Sequence, residues 1–411
     1  MKLPCKAAGF GLLALVLALS GCGTSSLKAE ETPAAAVSAQ TQADAAWLDQ
    51  ALDAFLNDGD TLPAVSGSGA AVVWSVKSGN AEITDNVIHK TAAAAEYEPV
   101  QLHAVIGSGA AAVEADYGNL LLLDPYAGWL LSYFSEDGTD KEEPKLGYTF
   151  DGIYWYKLNN DSAVFKARTG TKKVRDPYIV RKKDGTFAML ATQGYDTDSI
   201  YCWDSADAIT YDNERLLQVN VSSQDLQMSG KQAWAPEAFY DRTKDAYVIY
   251  WSSPDDGGMY YNTSSNLTAF STPQKLLDAG FDVIDGTIVK EGYHYSIILK
   301  DERQPMEEYS QLFLGTSETD YLHFDHFSSP ITTRHQCEGP FVIQRQEDTL
   351  VYYDDYTRHQ FLALYSLGVY DQGFVDLDMS DVLLPFVDPA HASVIPVTWK
   401  ELDRIMKAYG G

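Results

Sequence analysis

The sequence predicts an all-β chain dominated by a five-bladed β-propeller, preceded by a smaller unit of strands. Two observations predict it. Apolar strand-like segments with polar starts recur with a period of about 50 to 60 residues, as bladed folds require. Helical periodicity is nearly absent between residues 125 and 395.

The starts can be taken in order. Arg175-Asp176-Pro177 leads into Tyr178-Ile179-Val180, and Trp234-Ala235-Pro236-Glu237 into Ala238-Phe239-Tyr240. Asp285-Gly286-Thr287 leads into Ile288-Val289, Glu338-Gly339-Pro340 into Phe341-Val342-Ile343, and His391 into Ala392-Ser393-Val394-Ile395. Asp176, Asp285 and Glu338 are about 109 and about 53 residues apart, which is two repeats and then one. Glu237 and His391 fill the other places, so five strand starts are expected to carry a polar residue in register.

Each of the first four starts is followed by a second apolar strand: Phe187–Leu190, Tyr247–Trp251, Tyr295–Leu299 and Leu350–Tyr353. Third strands follow, as at Ile200–Asp204 and Met259–Thr263. Trp129–Phe134 and Leu146–Phe150 precede Asp176 without a first strand, whereas His391–Ile395 has no strands after it. The C-terminal strand is therefore expected to complete the N-terminal blade, closing the ring and removing open sheet edges. The polar starts are then expected to converge at one mouth.

Two Asp and one Glu so placed suit inverting glycoside hydrolysis. That reaction needs a carboxylate to activate water and an opposed carboxylic acid to protonate the leaving oxygen, about 6.5 to 9.5 Å apart. A third carboxylate beside the acid is expected to raise its pKa by like-charge repulsion. Against this stands the acidity of the chain, with 58 Asp and Glu in 411 residues, and the use of Asp-Gly pairs in ordinary turns. Trp234 reads equally as a sugar-stacking platform or as a core residue between blades. Glu237 reads as a structural or subsite hydrogen-bonding residue, and His391 as a satisfied polar group or as a ligand of a channel ion.

In this order, RDPYIV, WAPEAFYD, the IDGTIV stretch ending in Lys300-Asp301-Glu302, and EGPFVI make residues 125 to 405 similar to glycoside hydrolase family 43. These are five-bladed propellers that act on arabinose- and xylose-containing polysaccharides. The resemblance implies that Asp176 is the general base, that Asp285 orients and tunes the acid, and that Glu338 is the general acid. Arg175, Trp234 and Glu237 are the expected substrate-binding residues. The implied activity is that of an inverting α-L-arabinofuranosidase, with β-xylosidase or endo-arabinanase as alternatives and a non-catalytic glycan-binding lipoprotein as the reading from another class. No cofactor is expected to be required, and a structural calcium in the central channel is compatible with the resemblance. The chain departs from the family pattern at Pro389-Ala390-His391-Ala392, where an arginine before and a glycine after the histidine are expected, and in the charged stretch from Glu136 to Glu143.

Lys2 and Lys6 precede an apolar run from Leu12 to Leu19, and Leu19-Ser20-Gly21-Cys22 matches a bacterial lipoprotein cleavage signal. The run is too short to span a bilayer. Residues 1–21 are thus expected to be a signal, Cys22 the lipid anchor at the cell surface or periplasmic side, and residues 22–44 a flexible tether. Over 45–123, Trp47, Leu48, Leu52, Phe55 and Leu56 recur at helical spacing, and Ala71–Val76, Val87–His89 and Val100–Val105 read as strands. This pattern resembles degenerate bacterial immunoglobulin-like domains, a small β-sandwich. A net charge of −28 argues against nucleic acid and anionic polysaccharides and favours a neutral polysaccharide or oligosaccharide as partner. Cys202 and Cys337 fall on blades that are not neighbours, so no disulfide is expected.

Overall fold

The computed structural model of the protein describes residues 33–370 and 373–410. The expected signal, Cys22 and the first part of the tether lie outside the described residues. Helix α1, Pro33–Ala51, occupies the rest of the expected tether. It stops before Phe55 and Leu56, which continue the helical spacing but form a short strand, Phe55–Asn57, parallel to Leu121–Leu123. Periodicity alone cannot separate these cases, because a one-turn overhang of apolar residues suits a strand as well.

The N-terminal unit has one mixed four-stranded sheet, ordered Phe55–Asn57, Val113–Leu123, Glu98–Ile106, Val72–Ser78. A separate hairpin pairs Ala81–Thr84 with Val87–Lys90. Leu48 and Leu52 of α1, Ile88 of the hairpin, and Trp74, Leu102 and Tyr117 of the sheet share one core. One sheet with a helix and a hairpin thus stands where a two-sheet sandwich was expected.

Five four-stranded antiparallel sheets follow, forming the propeller. The inner strands are Arg175–Arg181, Trp234–Asp241, Val283–Glu291, Cys337–Gln344 and Pro389–Thr398, which head the first to fifth blades. The last pairs with Tyr126–Ser135, with Ser393 opposite Ser132 and Ile395 opposite Leu130, so the C-terminal strand does complete the N-terminal strands as the fifth blade. Large aromatics fill the blades and the spaces between them. Trp203 stacks on Tyr201 at 4.9 Å and Phe341 on Tyr352 at 5.2 Å. Each such buried ring is worth several kcal/mol, ~2 by area alone and more with ring pairing.

Every inner strand carries the same bulge. Two residues oppose one on the second strand at Asp176-Pro177, Ala235-Pro236, Asp285-Gly286, Gly339-Pro340 and His391-Ala392. In each, the first residue has positive φ: 50° at Asp176, 45° at Ala235, 53° at Asp285, 52° at Gly339 and 27° at His391. Such bulges bend the strand and re-aim a side chain. They also correct the expected register. Asp176, Asp285 and His391 are equivalent, but Glu338 stands one residue before its bulge, beside the place of Arg175, and Glu237 stands two after the start of its own.

After the fifth inner strand, α2, Trp399–Tyr409, is capped by Thr398 and Glu401 in a reciprocal capping box. Its Leu402 and Ile405 pack into the core shared by the fifth and first blades. Glu401 also pairs with the buried Arg181 of the first inner strand, its second oxygen 3.0 Å from that guanidinium. Tyr97 of the N-terminal unit donates to Glu401 at 2.9 Å, and Arg242 of the second blade pairs with Asp49 at 2.9 Å. Cys202 and Cys337 are free and buried.

Candidate active site

The bulges turn Asp176, Asp285 and His391 toward one end of the axis, where His391 sits between the two carboxylates. Its Nδ1 is 3.5 Å from Asp176 Oδ1 and 3.7 Å from Asp285 Oδ2. Burial disfavours the imidazolium, but these two carboxylates, with Glu338 and Glu237 behind them, raise its pKa overall. Gly339 lies against the imidazole so closely that a Cβ there would meet His391 Cγ at 2.8 Å. A glycine at that bulge therefore serves both the left-handed backbone and the space for the ring. Among the described residues no group of three or more His, Cys, Asp or Glu is arranged to hold a metal ion. His391 lies within ion-pair distance of both carboxylates.

Asp176 is fixed by Thr192 Oγ1, which donates to its Oδ2 at 2.5 Å. Asp285 is buried, and burial, opposed by the His391 charge and reinforced by the Glu338 carboxylate, pushes it up to about 7. Glu338 goes the other way. Burial disfavours its charge, but the Lys300 ammonium, donating to Oε2 at 2.9 Å, holds it below the usual carboxylate range. Glu338 is among the charges that raise Asp285, whereas the Lys300 ammonium draws Glu338 the other way. Like-charge repulsion is reciprocal, so which member keeps the proton depends on the neighbours, and Lys300 sits on the Glu338 side.

Two buried groups complete this mouth. Lys300 is 3% exposed, also pairs with Glu302 at 3.0 Å, and lies 5.2 Å from the ring centre of Tyr356. Asp354, directly across the strand pair from Glu338, is 1% exposed and accepts the His391 N–H at 3.2 Å. Burial and the Glu338 charge raise the pKa of Asp354 well above the ordinary value. Lys300 was legible only as part of a motif. A charged residue inside an otherwise apolar second strand, as in Ile298-Leu299-Lys300, is the signal that marks Lys300.

The expected substrate-binding residues divide. Trp234 lies at the mouth, not between blades. Its indole N–H donates to the Tyr195 carbonyl at 2.7 Å, and the two rings meet edge to face at 6.0 Å. Tyr195, 52% exposed, belongs to the loop after the second strand of the first blade and was not anticipated. Arg175 is held by the charged stretch that departs from the family pattern, donating to Glu136 at 2.9 Å and Glu142 at 3.2 Å. Its guanidinium is layered on Phe134 at 4.5 Å and Tyr195 at 4.8 Å, favourable cation–π contacts. Arg175 thus braces the Tyr195 side of the mouth.

Glu237 is not brought to the mouth. Together with Tyr178, Thr287, Phe341 and Ser393, its equivalents two residues after each bulge starts, it lines a cavity of about 860 Å³ toward the opposite end of the axis, which residues such as Asp49 and Asp53 of the N-terminal unit help to enclose. Tyr250 and Thr287 donate to Glu237, yet burial pushes it up to about 7. Its place makes it a structural hydrogen-bonding group of the throat.

Residues 124–403 match a glycosyl hydrolase 43-related family model described as "Probable glycosyl hydrolase domain". An α-L-arabinofuranosidase of Bifidobacterium longum subsp. longum is 22% identical over 218 residues, covering 44% of this chain and 20% of the relative. The chain therefore spans about a fifth of that curated relative's length. Among solved structures, a thermostable family-43 glycoside hydrolase is 18% identical with a TM-score of 0.41, covering 51% of this chain and 75% of that one. BlXynB of Bacillus licheniformis is 12% identical with a TM-score of 0.42, covering 73% and 56%.

Proposed function

The chain belongs to the glycosyl hydrolase 43-related family, and we propose that it is an inverting glycoside hydrolase acting on arabinose- or xylose-containing poly- or oligosaccharides, as an α-L-arabinofuranosidase. The observation that carries this reading is the meeting of Asp176, Asp285 and Glu338, from three blades, around His391. Asp176 takes a proton from the water whose oxygen forms the new bond to the anomeric carbon. Glu338 gives a proton to the glycosidic oxygen as the old C–O bond breaks and its electron pair stays on that oxygen. For this step Glu338 must take up a proton, against the Lys300 charge that favours its ionised form. A leaving oxygen beside Glu338 supplies the new acceptor that favours that uptake. Trp234 and Tyr195 offer apolar faces to the sugar.

The Lys300 ammonium on Glu338, which favours the charged carboxylate over the proton donor, also suits a second reading, a glycan-binding protein without catalysis. One experiment separates the two: release of sugar from nitrophenyl α-L-arabinofuranoside, nitrophenyl β-xyloside and debranched arabinan, measured side by side with Glu338→Gln and Asp176→Asn. The hydrolase reading expects activity on at least one substrate. Glu338→Gln should lose a factor of about 100 to 10,000 on natural linkages but far less on the aryl glycoside, and Asp176→Asn should slow both alike. Near-normal activity in both variants would mean that these carboxylates are turn residues. Cell-surface anchoring through Cys22 belongs to the same proposal and rests on the Leu19-Ser20-Gly21-Cys22 signal alone.

A further inference from the structure

The five junctions between blades are built to one plan, and it is broken in two places. On each second strand one residue lies opposite the residue that precedes the bulge: Thr192, Ser252, Lys300, Asp354 and Phe134. At three junctions this side chain accepts the N–H of the next blade's bulge residue. Ala235 donates to Thr192 Oγ1 at 2.7 Å, Asp285 to Ser252 Oγ at 3.0 Å, and His391 to Asp354 Oδ2 at 3.2 Å. These bonds hold left-handed residues that otherwise cost about 1–2 kcal/mol each.

Phe134 and Lys300 cannot accept. Each instead contacts the residue that precedes the next bulge, Phe134 under the Arg175 guanidinium and Lys300 on Glu338. At the Phe134 junction Ser132 and Ser393 replace the latch, donating to the Pro177 carbonyl at 2.6 and 2.8 Å. At the other, a buried ammonium is placed where an apolar strand would normally continue. Burying it disfavours its charge, and only its carboxylate partners offset that. Glu338 Oε1 has no hydrogen-bond partner among the described residues.

Resting on the hydrolase reading, we propose that Lys300 is the positioning residue of the acid: its ammonium clamps Oε2 of Glu338 and leaves Oε1 to face the leaving oxygen of a bound glycoside. The charged and titratable groups facing this pair are Asp285, Glu302, Tyr356, His391, Arg175 and Asp354. None of these six has a side-chain hydrogen bond or ion pair with Glu338; among the described residues Lys300 alone does.

The test compares Lys300→Met and Lys300→Arg with the native enzyme on nitrophenyl α-L-arabinofuranoside and on an arabino-oligosaccharide, across pH. With the clamp gone, Lys300→Met should lose about 10- to 100-fold in kcat on the oligosaccharide and little on the aryl glycoside. The alkaline limb of its kcat/KM profile should move to higher pH, and Lys300→Arg should recover much of the oligosaccharide activity. If Lys300→Met does not fold, Lys300→Met with Glu302→Gln, which removes one stranded carboxylate, is read the same way. Equal losses on both substrates with an unmoved limb would overturn the proposal. Glu338→Gln run in parallel separates the two claims: if it keeps full activity on the oligosaccharide, the acid assignment fails, whereas if it fails as expected and Lys300→Met does not, only the clamp is wrong.

Discussion

Replacing Gly339 with alanine perturbs the centre of the site through two terms that can be separated. The first is the left-handed backbone at φ 52°, which costs an L residue about 1 kcal/mol relative to glycine. The second is the contact. The new Cβ would lie 2.8 Å from His391 Cγ, 3.0 Å from Nδ1 and 3.1 Å from its Cα, atoms that are buried and cannot swing aside. Overpacking of this kind costs about 1–3 kcal/mol. Gly257 supplies the control, since it has φ 75° and nothing within 4 Å of an added Cβ, so Gly257→Ala carries the backbone term alone. At about 2 °C per kcal/mol for a chain of this size, Gly339→Ala should melt about 4–8 °C lower than the parent and Gly257→Ala about 2 °C lower. Because the imidazole bridges Asp176 and Asp285, Gly339→Ala should also lose at least about tenfold in kcat, whereas Gly257→Ala should keep its activity. Scanning calorimetry and the sugar-release assay read both. If the two variants melt alike and both stay active, His391 is not held by Gly339 as described.

Three further outcomes are expected, two from the packing and one from the amino-terminal signal. Deleting the chain from His391 onward removes the strand that closes the fifth blade and exposes an edge of Tyr126–Ser135; the truncated protein should aggregate or lose its cooperative transition, and an equally sharp melt would refute ring closure. Glu401→Gln leaves Arg181 buried without its charge partner and should cost about 3–5 kcal/mol at neutral pH. Burial opposes the charge of Glu401, but Arg181 lowers its pKa overall, so the pair's stabilisation is present above the ordinary carboxyl value and is lost as pH falls through the depressed one. Melting curves of parent and variant should therefore converge at acid pH, and a gap that persists there would contradict the pairing. Cys22→Ser should release the protein from the membrane fraction of a bacterial host that expresses the full chain; continued fractionation with membranes would rule out the lipid anchor.

The blades were legible because inner strands are buried along their length and read as continuous apolar runs, such as Tyr178-Ile179-Val180. Their closure was legible because Trp129–Phe134 lacked a first strand and His391–Ile395 lacked the rest. The bulge was not, because it is a backbone conformation shared by Asp176, Ala235, Asp285, Gly339 and His391, which have little in common as residue types. Aligning polar residues instead displaced Glu338 by one position and Glu237 by two. The first slip still left Glu338 at the mouth, where Lys300 meets it; the second sent Glu237 to the throat. The Lys300–Glu338 contact was hidden for a related reason: Lys300 is distant in sequence and reaches Glu338 only across a blade junction. In the N-terminal unit, Phe55 and Leu56 extended the helical spacing into a strand, and the sandwich expected there rested on three strands that a single sheet and hairpin accommodate equally well.

The stereochemical course of hydrolysis tests the central claim most directly. Proton NMR of the anomeric region, recorded in the first minutes of turnover of nitrophenyl α-L-arabinofuranoside before mutarotation, should show β-L-arabinofuranose appearing first. Inversion follows if Asp176 activates water directly with no covalent intermediate. First appearance of the α-anomer would require a carboxylate nucleophile and a glycosyl-enzyme intermediate, and would contradict the roles assigned to Asp176 and Glu338.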